Sequence, residues 1–241
     1  MLRSLKEAVF EANRSLLRSG LVTLSWGNAS GLDRDRGLLV IKPSGVPYTK
    51  LRPKLMVVVD LQGRVVEGDL RPSSDTPTHI ELYHAFPTIG GVTHTHSRYA
   101  TAFAQAHREI PCLGTTHADQ FYGPVPITRQ LTKEEVAADY ERHTGRVIVE
   151  RMMGQDPLAM PAVLVIGHGP FTWGADVDAS LQNAMALEAV AELALYTRHL
   201  RPDIGPMEPF LLEKHHQRKH GAAAYYGQQP STDQNQKADN P

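Results

Sequence analysis

Leu2, Leu5, Val9, Ala12 and Leu16 recur at helical spacing with polar residues between them, until Gly20 interrupts the run. This pattern predicts an amphipathic helix over residues 2–19 with its apolar stripe turned to a core. Shorter apolar runs follow in "LVTLSWGNAS", "GLLVIKPSG" and "LMVVVDLQGRVVEG"; they read as strands, the last a hairpin turning at Gln62 and Gly63. "PSSDTPTHIELYHAF" reads as a loop entering a helix, with Pro77 in the first turn. "GGVTHTH" is a predicted strand, and "SRYATAFAQAHRE" a helix with Ser97 as its cap. Thr132 followed three residues later by Glu135 forms a capping box at the head of another helix. "PAVLVIGHGPFTWG" predicts strand, turn at residues 167–169, and strand. "ADVDASLQNAMALEAVAELALYTRHL" is apolar round most of its circumference, so the longest helix is expected to be well buried. A last helix is expected to end near Gly221.

The order of elements predicts one α/β domain over residues 1–228, a mainly antiparallel central sheet with helices on its faces. Residues 229–241, "QPSTDQNQKADNP", lack an apolar anchor and are expected to be disordered.

Composition narrows the function. Hydrophobic residues make up 41% of the chain, enough to bury a core, and the formal charge of −1 favours neither nucleic acid nor an acidic membrane surface. No apolar run is long enough to span a bilayer, and Glu7 and Glu11 break a signal-peptide reading of the N-terminus. A lone cysteine, Cys112, suits a reducing compartment, so a cytoplasmic protein is expected. The twelve histidines are the one oddity.

Two of them, His94 and His96, stand two apart at the end of an apolar strand, where alternate side chains share a face. Burying two imidazoles side by side without a partner is costly, which puts a chelate on an equal footing with a pair of idle core or surface residues. His168 ends another apolar strand inside a glycine-flanked turn and is a third candidate ligand. Asp75, Glu81 and Asp119 are candidate fourth ligands, and spacing alone does not choose among them. Three turns, "SWGNAS", "KPSG" and "PSSDT", offer hydroxyls, glycine N–H groups and Lys42, the chemistry that holds a phosphate. "PSSDTP" also precedes a predicted helix, whose N-terminus adds positive potential. No P-loop, dinucleotide fingerprint or G-x-S-x-G elbow is present.

The stretches "GLVTLSWGN", "VIKPSGV", "PSSDTPTH", "GGVTHTHSRYATAFAQA", "GTTHADQFYG", "GHGPFTWG" and "RKHGAAAYYGQ" together resemble the class II aldolase/AraD-like family, and "GTTHAD" with "AYYGQ" resembles its epimerase branch. The resemblance covers roughly residues 1–228. It implies a zinc or similar divalent ion, such as manganese or cobalt, held by Asp75, His94, His96 and His168. It implies substrate binding, chiefly of phosphate, by Gly27, Asn28, Ser44, Gly45, Ser73 and Ser74, with Lys42 in support. Asp119 and Tyr226 match the acid/base pair, with His215 close to Tyr226 on an incoming helix. A homotetramer with sites between subunits is implied as well. The expected reaction is 4-epimerisation of a phosphorylated ketopentose, L-ribulose 5-phosphate to D-xylulose 5-phosphate, by cleavage and re-formation of a carbon–carbon bond. The alternative is an aldolase of the L-fuculose 1-phosphate type. Asp75 weighs against it, because the aldolases of this family carry a glutamate there. An oligomer with a purely structural zinc is a third reading, and it leaves the anion-binding turns without a purpose.

Overall fold

The computed structural model describes residues 2–227; the expected disordered tail lies outside them. Helix α1 (Arg3–Arg18) leads to β1 (Asn28–Asp33), β2 (Leu38–Ile41), β3 (Val57–Asp60) and β4 (Val65–Glu67). Next come α2 (Thr76–Ala85), β5 (Gly91–His94), α3 (Arg98–Gln105) and a one-turn α4 (Thr115–Ala118). Helix α5 (Lys133–Met152), β6 (Ala162–Val165), β7 (Gly169–Gly174), α6 (Val177–Leu200) and α7 (Pro209–His220) complete the order.

The seven strands form one sheet in the order β4-β3-β2-β1-β5-β7-β6, and every strand pair is antiparallel. The expected α/β domain with an antiparallel sheet is therefore present. Both faces are covered, so alternate residues of one strand enter different cores. On β3, Val57 and Val59 join one cluster and Val58 the other; Leu39 and Val40 divide likewise on β2. This explains apolar runs without alternation in antiparallel strands. Helix α2 lies on the face reached by Ser30, whose hydroxyl meets His79 Nδ1 at 2.7 Å and Tyr83 Oη at 2.9 Å. On the opposite face, Asn13 of α1 pairs with the backbone of Ala29 through Nδ2 and Oδ1, both at 3.0 Å. Helix α6 lies on that face too, its Ser180 hydroxyl 2.8 Å from that of Thr93. Between α1 and α6, Gly31 leaves room for Leu5 and Val177. A Cβ there would fall 2.4 Å from Val177 Cγ2.

Three expectations change. Residues 21–27 are a loop and not a strand: Leu24 has φ 56° and, with Trp26, is exposed, so their apolar character builds no sheet. Helix α6 is not buried on all sides, since Leu193, Tyr196 and Leu200 are 53%, 50% and 84% exposed. Ser97 sits at the head of α3 but makes no side-chain cap bond. The Thr132–Glu135 capping box is formed in both directions, and Gly221 closes α7. Among the described residues, no helix is long and apolar enough to cross a membrane.

Candidate active site

The strand carrying the histidine pair stops at His94, so His96 lies beyond it rather than on its face. The chain still follows β7 for one more residue, through Thr95 N to Pro170 O at 3.3 Å. That brings His96 Nε2 to 3.1 Å from His94 Nε2. His94 is fixed from behind: its Nδ1 donates to Pro170 O at 2.9 Å, and its ring stacks on Phe171 at 4.1 Å. The bond to a carbonyl assigns the proton to Nδ1 and leaves the Nε2 lone pair facing His96. His168 enters from the β6–β7 turn, which is held by His168 N to Val165 O and Gly167 N to Ala104 O, each at 3.0 Å. Its ring centroid lies 4.7 Å from that of His94 and 5.0 Å from that of His96.

One nitrogen from each of the three rings lies within 4.8 Å of the others. Burial, reinforced by the neighbouring imidazoles, pushes His94 and His168 down to about 3; burial also lowers His96, against the pull of Asp75. All three are thus neutral near pH 7. Three neutral, converging imidazoles fit a divalent ion of the zinc type, because each offers a lone pair where a proton is unfavourable.

Asp75 borders this group without joining it. It occupies the position before α2, and its carboxylate accepts from Asn28 Nδ2 at 2.6 Å. Asn28 Nδ2 also donates to Ser73 Oγ at 3.0 Å, so one amide links the acid to the serine turn. Gly27, at φ 75°, brings the chain so close to β5 that a Cβ would lie 2.7 Å from His94 O.

The turns expected to bind an anion line the same cavity. Its volume is about 410 Å3, and Gly27, Asn28, Lys42, Ser44, Gly45, Ser73 and Ser74 border it together with Asp75 and the three histidines. Two of the turns are joined by backbone bonds, Ser44 N to Arg71 O and Ser73 N to Lys42 O, both at 2.9 Å. Lys42 is 2% exposed, with Nζ 3.3 Å from Ser25 O and 4.9 Å from the centre of the Tyr48 ring. Burial lowers its pKa to about 8, although Asp75 opposes the shift. Tyr140 and Glu141 also line the cavity, and no sequence pattern had singled them out. Glu81, a candidate fourth ligand by spacing, is instead 3.8 Å from Arg142. A larger cavity of about 640 Å3, between α3 and α6, is mainly apolar and holds none of these residues.

Asp119, His215 and Tyr226 form a second group, away from the cavity lining. Asp119 Oδ1 accepts from Arg218 Nε at 2.9 Å and His215 Nδ1 at 3.0 Å, while Arg218 Nη2 donates to Oδ2. Burial raises the Asp119 carboxyl, but the hydrogen bonds from Arg218 and then His215 outweigh it and hold the group below the ordinary range. Tyr226 is 60% exposed, its ring 5.0 Å from the Arg218 guanidinium carbon and 4.8 Å from Lys219 Nζ. Arg218 was missed in the sequence, since 99 positions separate it from Asp119.

Residues 7–195 match the Class II Aldolase and Adducin N-terminal domain family. The chain belongs to this family. Solved class II aldolase structures share its fold. An L-fuculose 1-phosphate aldolase is 22% identical, with a TM-score of 0.75 over 89% of this chain and 95% of its own. YgbL from Klebsiella pneumoniae, a proposed aldolase/epimerase/decarboxylase, is 26% identical, with a TM-score of 0.69 over 89% and 99%. L-Fuculose-1-phosphate aldolase from Thermus thermophilus is 24% identical, with a TM-score of 0.62 over 86% and 100%. The divalent-metal chemistry of class II aldolases agrees with the three-histidine group.

Proposed function

We propose that this class II aldolase relative is a 4-epimerase interconverting L-ribulose 5-phosphate and D-xylulose 5-phosphate. The observation that carries the reading is one cavity joining three neutral imidazoles to a ring of serine hydroxyls, glycine N–H groups and a buried lysine. Its two ends suit the carbonyl and phosphate ends of a short sugar phosphate. Asp75, one methylene shorter than a glutamate, is held by Asn28 at the edge of the imidazole group. That favours a fourth ligand over a mobile acid/base, and hence epimerase over aldolase.

Carbon 4 bears no proton acidic enough to remove, so inversion there proceeds through the bond between carbons 3 and 4. Removal of the proton from the carbon 4 hydroxyl lets that bond break. The products are glycolaldehyde phosphate and the enediolate of dihydroxyacetone. His94, His96 and His168, with Asp75, would hold a divalent ion, which when bound supplies Lewis-acid stabilisation of the enediolate charge. Ser44, Ser73, Ser74 and the N–H groups beside Gly27 and Gly45 retain the phosphate while the aldehyde turns. Asn28 aligns Ser73 with Asp75, and Lys42 offsets the dianion charge. Re-addition to the other aldehyde face forms the epimeric bond, and the new alkoxide takes a proton back. Two proton carriers on opposite faces serve the two epimers. We assign them to Asp119, kept anionic by Arg218, and to Tyr226, with His215 supporting Asp119. Neither lines the cavity of its own chain, which supports a homotetramer in which each subunit completes a neighbour's site. The exposed apolar residues of α6 are consistent with such packing.

The test is incubation of zinc-loaded protein with L-ribulose 5-phosphate, with products identified by NMR beside a chelated control. Metal-dependent D-xylulose 5-phosphate is the expected result. Accumulating dihydroxyacetone and glycolaldehyde phosphate would point instead to an aldolase, the reading that the fuculose-phosphate aldolase folds favour. No turnover of L-ribulose 5-phosphate by the metal-replete protein would sink the epimerase assignment.

A further inference from the structure

Helix α5 breaks where it passes the histidine cavity. Asp139 leaves the helical region, with φ −161° and ψ 84°, and no proline or glycine accounts for the break. Asp139 restarts the helix itself: its Oδ1 accepts from Arg142 N at 3.3 Å, as a cap residue does three positions before the N–H it serves. The new turn is tied to α2, the helix that begins beside Asp75, by Thr78 Oγ1 donating to Glu141 O at 2.6 Å. Close approach at this crossing needs Gly145, where a Cβ would fall 2.6 Å from Glu81 Cβ. Together these features carry Tyr140 over the cavity, its Oη 3.3 Å from His168 Nδ1.

We propose that Tyr140 is a positioning residue that fixes the ring orientation and tautomer of His168 for a divalent ion. The inference rests on the metal reading given above. His94 supplies the comparison: its Nδ1 donates to Pro170 O, leaving Nε2 for the cluster. His168 sits in a surface turn with no carbonyl at that nitrogen among its described bonds, and Tyr140 Oη takes the carbonyl's place. With Nδ1–H donating to Tyr140, Nε2 of His168 is the nitrogen free to bind. The phenol keeps its own proton, directed to an acceptor other than His168. Such outer partners of metal-bound histidines hold the ligand in register and raise its basicity.

The test is the Zn2+ dissociation constant, measured by competition with a chromogenic chelator, for the wild type, Tyr140→Phe, Thr78→Val and His168→Ala. Phenylalanine keeps the ring and removes only the hydroxyl. The expected result is zinc affinity weakened about 10- to 100-fold in Tyr140→Phe, with the melting temperature of the chelated protein unchanged. Thr78→Val is expected to weaken affinity in the same direction by releasing the turn. Wild-type binding retained in full by Tyr140→Phe would overturn this inference alone, because His168→Ala would still report the metal site. Failure of the wild type to bind any zinc would overturn the metal reading and this inference together.

Discussion

Lowering the pH from 7 to 5 tests the buried histidines. His79 is wholly buried, with Nδ1 on Ser30 and Nε2 without a partner; His117 is 3% exposed and bonds Gly123 O. Burial pushes their pKa values down to about 3 and about 4, respectively. An unfolded histidine titrates near ~6.5, so between these values the unfolded chain binds protons that the folded chain refuses. A depressed folded pKa therefore gives stability that is complete above the unfolded value and is lost as pH falls. Integrating from pH 7 to 5 gives a loss of about 2 kcal/mol for each residue, or about 4 kcal/mol together. His94 and His168 act in the same direction. Carboxylates scarcely contribute, since unfolded Asp and Glu titrate near ~4, below this window. The assay is urea unfolding of the chelated protein at both pH values, with His79→Gln in parallel. The wild type is expected to lose at least about 4 kcal/mol, and the variant about 2 kcal/mol less than the wild type does. Equal stability at pH 7 and 5 would refute the reasoning, because the histidines would then be charged or solvated in the folded state.

Asp119→Asn is expected to lower turnover by roughly 100-fold or more with bound zinc unchanged by elemental analysis; loss of zinc would make Asp119 a ligand. Mixing Asp119→Asn with His94→Ala under subunit exchange is expected to restore about one quarter of the wild-type activity, the random share of neighbouring pairs with both parts intact in a cyclic tetramer. No recovery after verified exchange would place Asp119 and the histidines of one site in the same chain. Gly27→Ala is expected to cost at least about 1–2 kcal/mol for a left-handed backbone and to weaken zinc binding by displacing His94. A wild-type melting curve and metal affinity would remove the close approach from the account.

Much of the framework was legible because its signals are local. Thr132 with Glu135 announced a helix, Gly221 closed one, and the valines of β3 marked a buried strand. The three histidines were legible as apolar-strand ends, although His96 reaches the group past the strand end rather than on its face. Leu24 and Trp26 misled because apolar residues in an exposed loop look, in sequence, like residues beneath a sheet. The exposed stripe of α6 misled for a related reason: apolar character alone does not say that a residue is covered. Tyr140 was hidden because a helical pattern runs unbroken through Asp139, where the helix in fact breaks. Arg218 had no local signal at all, since its partner Asp119 is remote in sequence.

The central strand β1 pairs Asn28 with His94 on one side and Ser30 with Ile41 on the other. Lys42 and the turn that carries Ser44 follow directly after Ile41. The span from the anion turns to the imidazoles is therefore set by ladder register, which shifts only in whole residues. A register step would reverse side-chain faces, so small adjustments of this span are closed to it. Under the function proposed above, the cavity acts as a gauge of carbon-chain length. On the proposed reading, a sugar phosphate with one carbon more or fewer between its two ends engages one end at the expense of the other, while changes at hydroxyl-bearing carbons between them leave the fit of both ends intact.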